Sequence, residues 1–176
     1  MKLVVLGVLL AILSWVASAH EMRPSIASLS VDSQGVLKLE LVTNMEAWLA
    51  NVDPSLSDTN DSPNAAVYDR FRALDATALE VAIRDRERDL SRVIEVIAGD
   101  LPITMTLTTL KVLPVDDDEL PRDTQLNFVG GLPDGAESVK YRVNDTMPNT
   151  AVRLFLDNAE PRLQFVKNGQ ESGALS

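Results

Sequence analysis

The chain has 176 residues, of which 45% are apolar, and a formal net charge of −10. This length suits one domain with a core, and the apolar fraction excludes disorder of the whole chain. The acidic balance disfavours binding to nucleic acid and gives no attraction to an anionic lipid surface. There is no cysteine, so an exported domain of this sequence would fold without disulfide bonds, as is common in the bacterial periplasm.

The N-terminus has the pattern of an export signal. Lys2 precedes an apolar run over residues 3–15, and Ala17, Ser18 and Ala19 are the small residues that signal peptidase accepts. We predict a signal peptide over residues 1–19 and a periplasmic or secreted location for the rest. The apolar run is shorter than the roughly 20 residues of a membrane span, which favours cleavage over a retained anchor, although the sequence leaves both open.

Cleavage after Ala19 would make His20 the first residue of the exported chain. Its α-amine and imidazole are nitrogen donors that suit copper or nickel, so His20 and Glu21 are the candidate metal ligands. The chain has no second histidine, and a strong site needs three or four good ligands. The alternative is that these residues only join the export signal to the first strand.

The exported part begins with a predicted hairpin. Apolar and polar residues alternate on both sides of a turn at residues 32–35, as in strands with one buried face. The apolar positions of the two strands are Ala27, Leu29 and Val31, then Leu37, Leu39 and Leu41. Trp48, further along, has apolar neighbours that favour burial in the core.

Residues 63–90 have the periodicity of helices. Ser62 before Pro63 is typical of a helix start, and Asp75 is a second capping residue. We predict two helices here, inserted between the second and third strands, with a solvated face of mixed charge.

Strand patterns return after the helices. Residues 93–98 and 101–113 flank a hairpin turn at Gly99 and Asp100, residues 125–129 form a short strand, and residues 130–135 form a long turn. Three further strands contain Val139, Tyr141 and Val143, then Val152 and Leu154, and finally Leu163 and Phe165. The prediction is an Ig-like antiparallel β-sandwich of about eight strands over residues 20–168, followed by a flexible polar tail at residues 169–176.

Carboxylates dominate the other candidate sites. Asp116, Asp117, Asp118 and Glu119 form one acidic loop that could contact a basic partner, gather a hard cation or simply be hydrated. The sequence DTNDS at residues 58–62 lacks the glycine and the terminal glutamate of a calcium loop, and helix capping explains it. A single histidine near the terminus and the absence of a phosphate-binding loop argue against an enzyme.

Four stretches together resemble a known family. They are HEMRP at residues 20–24, NMEAWLA at residues 44–50, YDRFRAL at residues 68–74 and the acidic residues 115–120. In this order they resemble the extracytoplasmic domain of HupE/UreJ-type membrane proteins, whose membrane part is associated with nickel or related metal handling. That membrane part is not present in this sequence, so a transport role does not carry over.

The resemblance implies an exported, non-enzymatic accessory or binding domain. It would work beside an inner-membrane protein, with a link to nickel or copper and no resident cofactor assigned. The alternative is a structural interaction domain of the cell envelope that binds no ligand and docks through its helical insertion.

Overall fold

A computed structural model describes residues 22–115, 120–155 and 160–176. This part of the chain is mainly β, with two sheets and four α-helices. The strands are β1 (Ser25–Val31), β2 (Val36–Thr43), β3 (Ile94–Ala98), β4 (Leu101–Ile103), β5 (Thr106–Val112), β6 (Thr124–Gly131), β7 (Val139–Val143), β8 (Thr150–Phe155) and β9 (Arg162–Val166). The helices are α1 (Met45–Leu49), α2 (Ala65–Arg72), α3 (Ala76–Arg84) and α4 (Glu87–Val93), and a short 3₁₀ turn covers Thr59–Asp61.

The strands form a large and a small sheet. The large sheet has the order β5-β6-β2-β1-β8-β9, and the small sheet has the order β4-β3-β7. The predicted β1–β2 hairpin is confirmed, with Leu29 opposite Leu39, and so is the hairpin at Gly99 and Asp100, which joins β3 to β4. The expected purely antiparallel arrangement is corrected at one place, because β1 and β8 pair in parallel.

One hydrophobic core joins the two sheets and the helices. Leu39 and Leu126 of the large sheet belong to the same buried cluster as Val96 and Tyr141 of the small sheet. The helices add Leu79, Ile83 and Leu90 to this cluster. The large sheet therefore buries one face against the other two components, and its second face is left on the outside.

The chain changes sheets at Thr104 and Met105. The sequence predicts one strand over residues 101–113, but the structure divides it into β4 of the small sheet and β5 of the large sheet. A Cβ atom on Gly130 would lie 2.9 Å from the carbonyl oxygen of Thr104 and 2.7 Å from the sulfur of Met105. Gly130 therefore makes room for the crossing, and it lies inside β6, opposite Leu37, rather than in the predicted turn.

The helical insertion lies between β2 and β3 as predicted, but it contains four helices and begins earlier. α1 starts just after β2, where the side chain of Asn44 accepts a hydrogen bond from the Ala47 amide at 3.1 Å. Asp75 caps α3 as predicted, accepting from the Ala78 amide at 2.8 Å. Trp48 is buried, also as predicted, and the guanidinium of Arg86 lies 4.5 Å from the centre of its ring.

The C-terminal residues differ from the expected flexible tail. Leu175 is 1% exposed, and its amide and carbonyl groups exchange hydrogen bonds of 2.8 and 3.0 Å with Val139 of β7. The hydroxyl of Ser172 accepts a hydrogen bond from the Tyr141 amide at 2.9 Å. The tail therefore lies along the edge of the small sheet. Hydrogen bonds hold it there, together with the buried side chain of Leu175, which is an apolar residue in a largely polar segment.

Gly130→Ala should destabilise the fold, because the added methyl group meets the Thr104 backbone, which cannot move without shifting both sheets. We expect urea denaturation to show a loss of about 1–3 kcal/mol in the free energy of unfolding. Gly131→Ala is the matched control, since no atom lies within 4 Å of the place that its Cβ would take, and its effect should stay within about 0.5 kcal/mol. Equal effects of the two substitutions would contradict the role of Gly130.

Leu175→Ser should also destabilise the protein, because it removes a buried apolar side chain and places a hydroxyl in the core. The expected loss in the free energy of unfolding is about 2–4 kcal/mol, measured by the same denaturation. Ala174→Ser changes the exposed neighbour and serves as control. A Leu175→Ser protein as stable as this control would show that the tail is not part of the core.

Candidate partner-binding surface

The residues singled out as sites in the sequence lie outside the described part of the chain. These are the metal candidates His20 and Glu21 and the acidic residues Asp116, Asp117, Asp118 and Glu119. Their roles stay predictions. The described residues contain no group of three or more His, Cys, Asp or Glu that could hold a metal ion, and none of the helices described is long and apolar enough to cross a membrane.

The most buried charged group is an ion pair between α1 and the start of β6. Nε and Nη2 of Arg122 both lie 2.6 Å from Oε1 of Glu46, whose side chain is 0% exposed. Nη1 of Arg122 donates to the carbonyl of Leu74 at 2.8 Å, and Nη2 also donates to the carbonyls of Phe71 and Arg72. Each nitrogen of this guanidinium is thus engaged by the protein, which identifies the pair as structural.

The buried environment of Glu46 disfavours the charged form of its carboxyl group. Burial raises the pKa of its carboxyl group, and the hydrogen bond and charge of Arg122 oppose that rise. Its second oxygen, Oε2, is buried without a hydrogen-bond partner among the described residues. The ionised form therefore depends on Arg122.

A small cleft opens between the sheets beside the crossing at Thr104 and Met105. Its volume is about 290 Å³, at the lower limit of small-molecule pockets. Its wall is mixed: Leu39, Ile94 and Phe128 line it together with Ser91 and Thr104. The carboxylate that reaches it, Glu95, is paired with Arg142 at 3.0 Å, and no second titratable side chain is among its described lining residues.

The outer face of the large sheet presents a different surface. Strand alternation buries Leu29 and Val152 and turns Ser28 and Arg153 outward. The strand registers place Glu40, Ser28, Arg153 and Leu163 side by side in one row across β2, β1, β8 and β9. The neighbouring row runs through Val42, Ile26, Ala151 and Phe165.

Three large apolar side chains are concentrated at the β9 end of this face. Leu163 is 67% exposed, Phe165 is 59% exposed and Phe155 is 39% exposed. Arg153 lies directly opposite Leu163 and two residues before Phe155. We call these four residues the β9 patch. The other large exposed apolar residues of the described chain, Val81, Leu101 and Leu120, lie on separate elements.

Charge on the outer face has the opposite sign to the protein as a whole. Lys38, Lys111 and Arg153 point outward from this sheet, and Glu40 is the acidic residue among them. Lys38 is paired with Asp32 at 3.2 Å, whereas Arg153 has no hydrogen bond or ion pair with any residue that the structure describes. The β9 patch thus combines exposed apolar side chains with a positive charge that no described residue pairs.

The sequence predicts the strand but not the patch. Leu163 and Phe165 alternate with Arg162 and Gln164, as in a strand with one buried face. In the fold it is Val166 that is buried, and Gln164 lies on the same face as Val166 while Leu163 and Phe165 face solvent. The polar partners of Gln164, such as the Gly173 amide at 2.8 Å, come from the tail and leave no signal in the strand itself.

A scan against models of protein families and a search of curated proteins both return nothing that matches this chain. The similarity of its short stretches to HupE/UreJ-type domains therefore stays a prediction.

Arg122→Met should destabilise the fold by about 3–5 kcal/mol at neutral pH, because it leaves a buried carboxylate without its partner. A carboxyl whose pKa is raised on folding binds its proton more tightly in the folded chain. The loss in the free energy of unfolding should therefore be smaller at about pH 5 than at about pH 7. Arg92→Met, at a largely exposed arginine, is the control and should change stability little.

A Glu46→Gln, Arg122→Met double variant tests the same pair. It should recover part of the stability lost in Arg122→Met, since the buried charge is gone. If Arg122→Met is as stable as the wild-type protein, or if its loss in the free energy of unfolding grows as the pH falls, this account of the pair is wrong.

Proposed function

We propose that this chain is an exported, non-enzymatic accessory domain of the bacterial cell envelope, and that its β9 patch binds a protein partner. The observation that carries the proposal is the exposure of Leu163 and Phe165 beside Arg153, with which no described residue forms an ion pair. Aromatic residues and arginine are enriched in the centres of protein interfaces. Clustered apolar side chains on a soluble surface commonly mark an interaction site.

The proposal includes an Ig-like sandwich as the scaffold. The core shared by the two sheets supports it, as does the predominance of antiparallel pairing. In such a scaffold the large sheet keeps one face for its own core and offers the other to a partner.

The identity of the partner rests on the export pattern and the family resemblance. Both favour an inner-membrane protein. A link to nickel or copper handling depends on His20 and Glu21, and no ligand group in the described residues adds to it. An interaction domain without a metal is the alternative, and it needs only the β9 patch.

The β9 patch is a better docking surface than the helical insertion. Val81 is the large exposed apolar residue that the described insertion offers. Its other exposed side chains include paired charges, for example Arg84 with Glu87 and Arg86 with Asp89. The insertion therefore offers one isolated apolar side chain among charges, whereas the β9 patch groups three apolar side chains around Arg153.

Site-specific photo-cross-linking in intact cells tests the proposal. A photoreactive amino acid replaces Leu163 in one variant and Val81, which is similarly exposed on α3, in a control variant. We expect a cross-link to one membrane protein from position 163 and not from position 81, and we expect Phe165→Ser to abolish it. Equal cross-linking from both positions, or none from either, would refute binding through the patch.

A further inference from the structure

We infer that the partner supplies an extended strand, which pairs with the outer edge of β9 and carries a carboxylate that reaches Arg153. This inference rests on the proposed function and specifies the partner's chemistry. It follows from the way in which the four sheet edges of the protein differ.

Three of the four edges carry features that oppose the addition of another strand. At the β5 edge, the ladder has a bulge between Leu107 and Thr109, and the side chain of Glu80 accepts the Val112 amide at 3.0 Å. The β4 edge has three residues, one of which, Pro102, has no amide hydrogen. At the β7 edge, the tail residue Leu175 occupies backbone groups of Val139. Bulges, prolines, short strands and covering segments are the usual means of protecting edges.

The centre of the β9 backbone has none of these features, and the tail contacts this strand through the side chains of Arg162 and Gln164. β9 is the last strand of the large sheet, and among the described residues no strand or loop backbone forms hydrogen bonds to its outer edge. Its central residues are Leu163, Gln164 and Phe165, with the charged Arg162 and Lys167 at its ends. An open edge with apolar side chains is the surface to which an extended peptide adds.

The side chains on β9 define what such a strand would contain. An added strand lies about 4.8 Å from β9, and its alternate side chains stand beside Leu163 and Phe165 on the outer face. A carboxylate beside Leu163 lies in the same row as Arg153, one strand further in, and the two side chains together span the distance of about 10 Å. Apolar side chains are expected at the same-face positions on either side of it, one of them beside Phe165.

Charge favours a different protein over a second copy of this chain. Two copies paired through β9 would bring Arg162 and Lys167 of one copy close to the same residues of the other. Like charges that face each other destabilise an interface. A partner strand with carboxylates turns the same residues into attractive contacts.

The test uses a blocked seven-residue peptide and the protein as purified from an exporting host. The peptide has threonine at its odd positions, and valine, glutamate and valine at its even positions. We expect it to bind and to slow hydrogen exchange at the outer-edge amides of β9. Replacing its glutamate with lysine should weaken binding about tenfold, equivalent to ~1.4 kcal/mol.

Two N-methylated peptides distinguish strand pairing from contact through side chains alone. In an added strand, only alternate N–H groups face the edge. One peptide is methylated on amide nitrogens that face β9, and the other on amide nitrogens that face away from it. We therefore expect the first methylation to abolish binding and the second to leave it largely intact. Equal binding of the two methylated peptides would overturn the inference.

Substitutions in the protein provide the second arm. Phe165→Ser should weaken binding of the peptide, and Arg153→Gln should remove its preference for glutamate over lysine. Val81→Ser is the control and should change neither. If Arg153→Gln keeps the glutamate preference, the assignment of the carboxylate to Arg153 is wrong.

The outcomes separate this inference from the proposed function. If no peptide binds but position 163 still cross-links to a membrane protein, strand addition is refuted and the proposed function stands. If the cross-link is also missing, the proposed function itself fails. A dimer in analytical ultracentrifugation that Phe165→Ser dissociates would mean that a second copy occupies the edge, and would overturn the inference.

Discussion

The helical layer is fixed to the large sheet by the buried pair of Glu46 and Arg122. Arg122 lies just before β6, and its guanidinium donates to carbonyl groups at and just after the C-terminal end of α2, where helix carbonyls have no partner within the helix. Glu46 brings in α1 as the third component. Because a buried charge is tolerated only with its partners in place, this one side chain determines where two helices sit on the sheet.

The position of the helices decides which surface of the protein is left for binding. The helices and the small sheet share the core on one face of the large sheet, so the other face is outside. The bulge and Glu80 at β5, Pro102 at β4 and the packed tail at β7 oppose strand addition at the other edges. The outer face and the β9 edge are left open, and three of the large exposed apolar side chains of the described residues lie together there.

The local features of the fold could be predicted from the sequence, and the long-range ones could not. The β1–β2 hairpin, the cap at Asp75 and the burial of Trp48 follow from alternation, capping chemistry and apolar neighbours. The pair of Glu46 and Arg122 joins residues 76 positions apart, and helix α1 is too short to show a helical period. For β9, alternation indicates two faces but does not say which one is buried, since the decision depends on Gln164 and the tail.

An open apolar edge is a hazard for a protein, because identical edges can pair and aggregate. Here the overall charge of −10 makes copies of the chain repel one another at long range, and the cationic residues at and beside β9 oppose self-pairing at short range. The same local positive charge would attract the proposed partner strand with its carboxylate. In this proposal one arrangement of charge discriminates against a second copy and in favour of that partner, so the interface gains specificity without additional contacts.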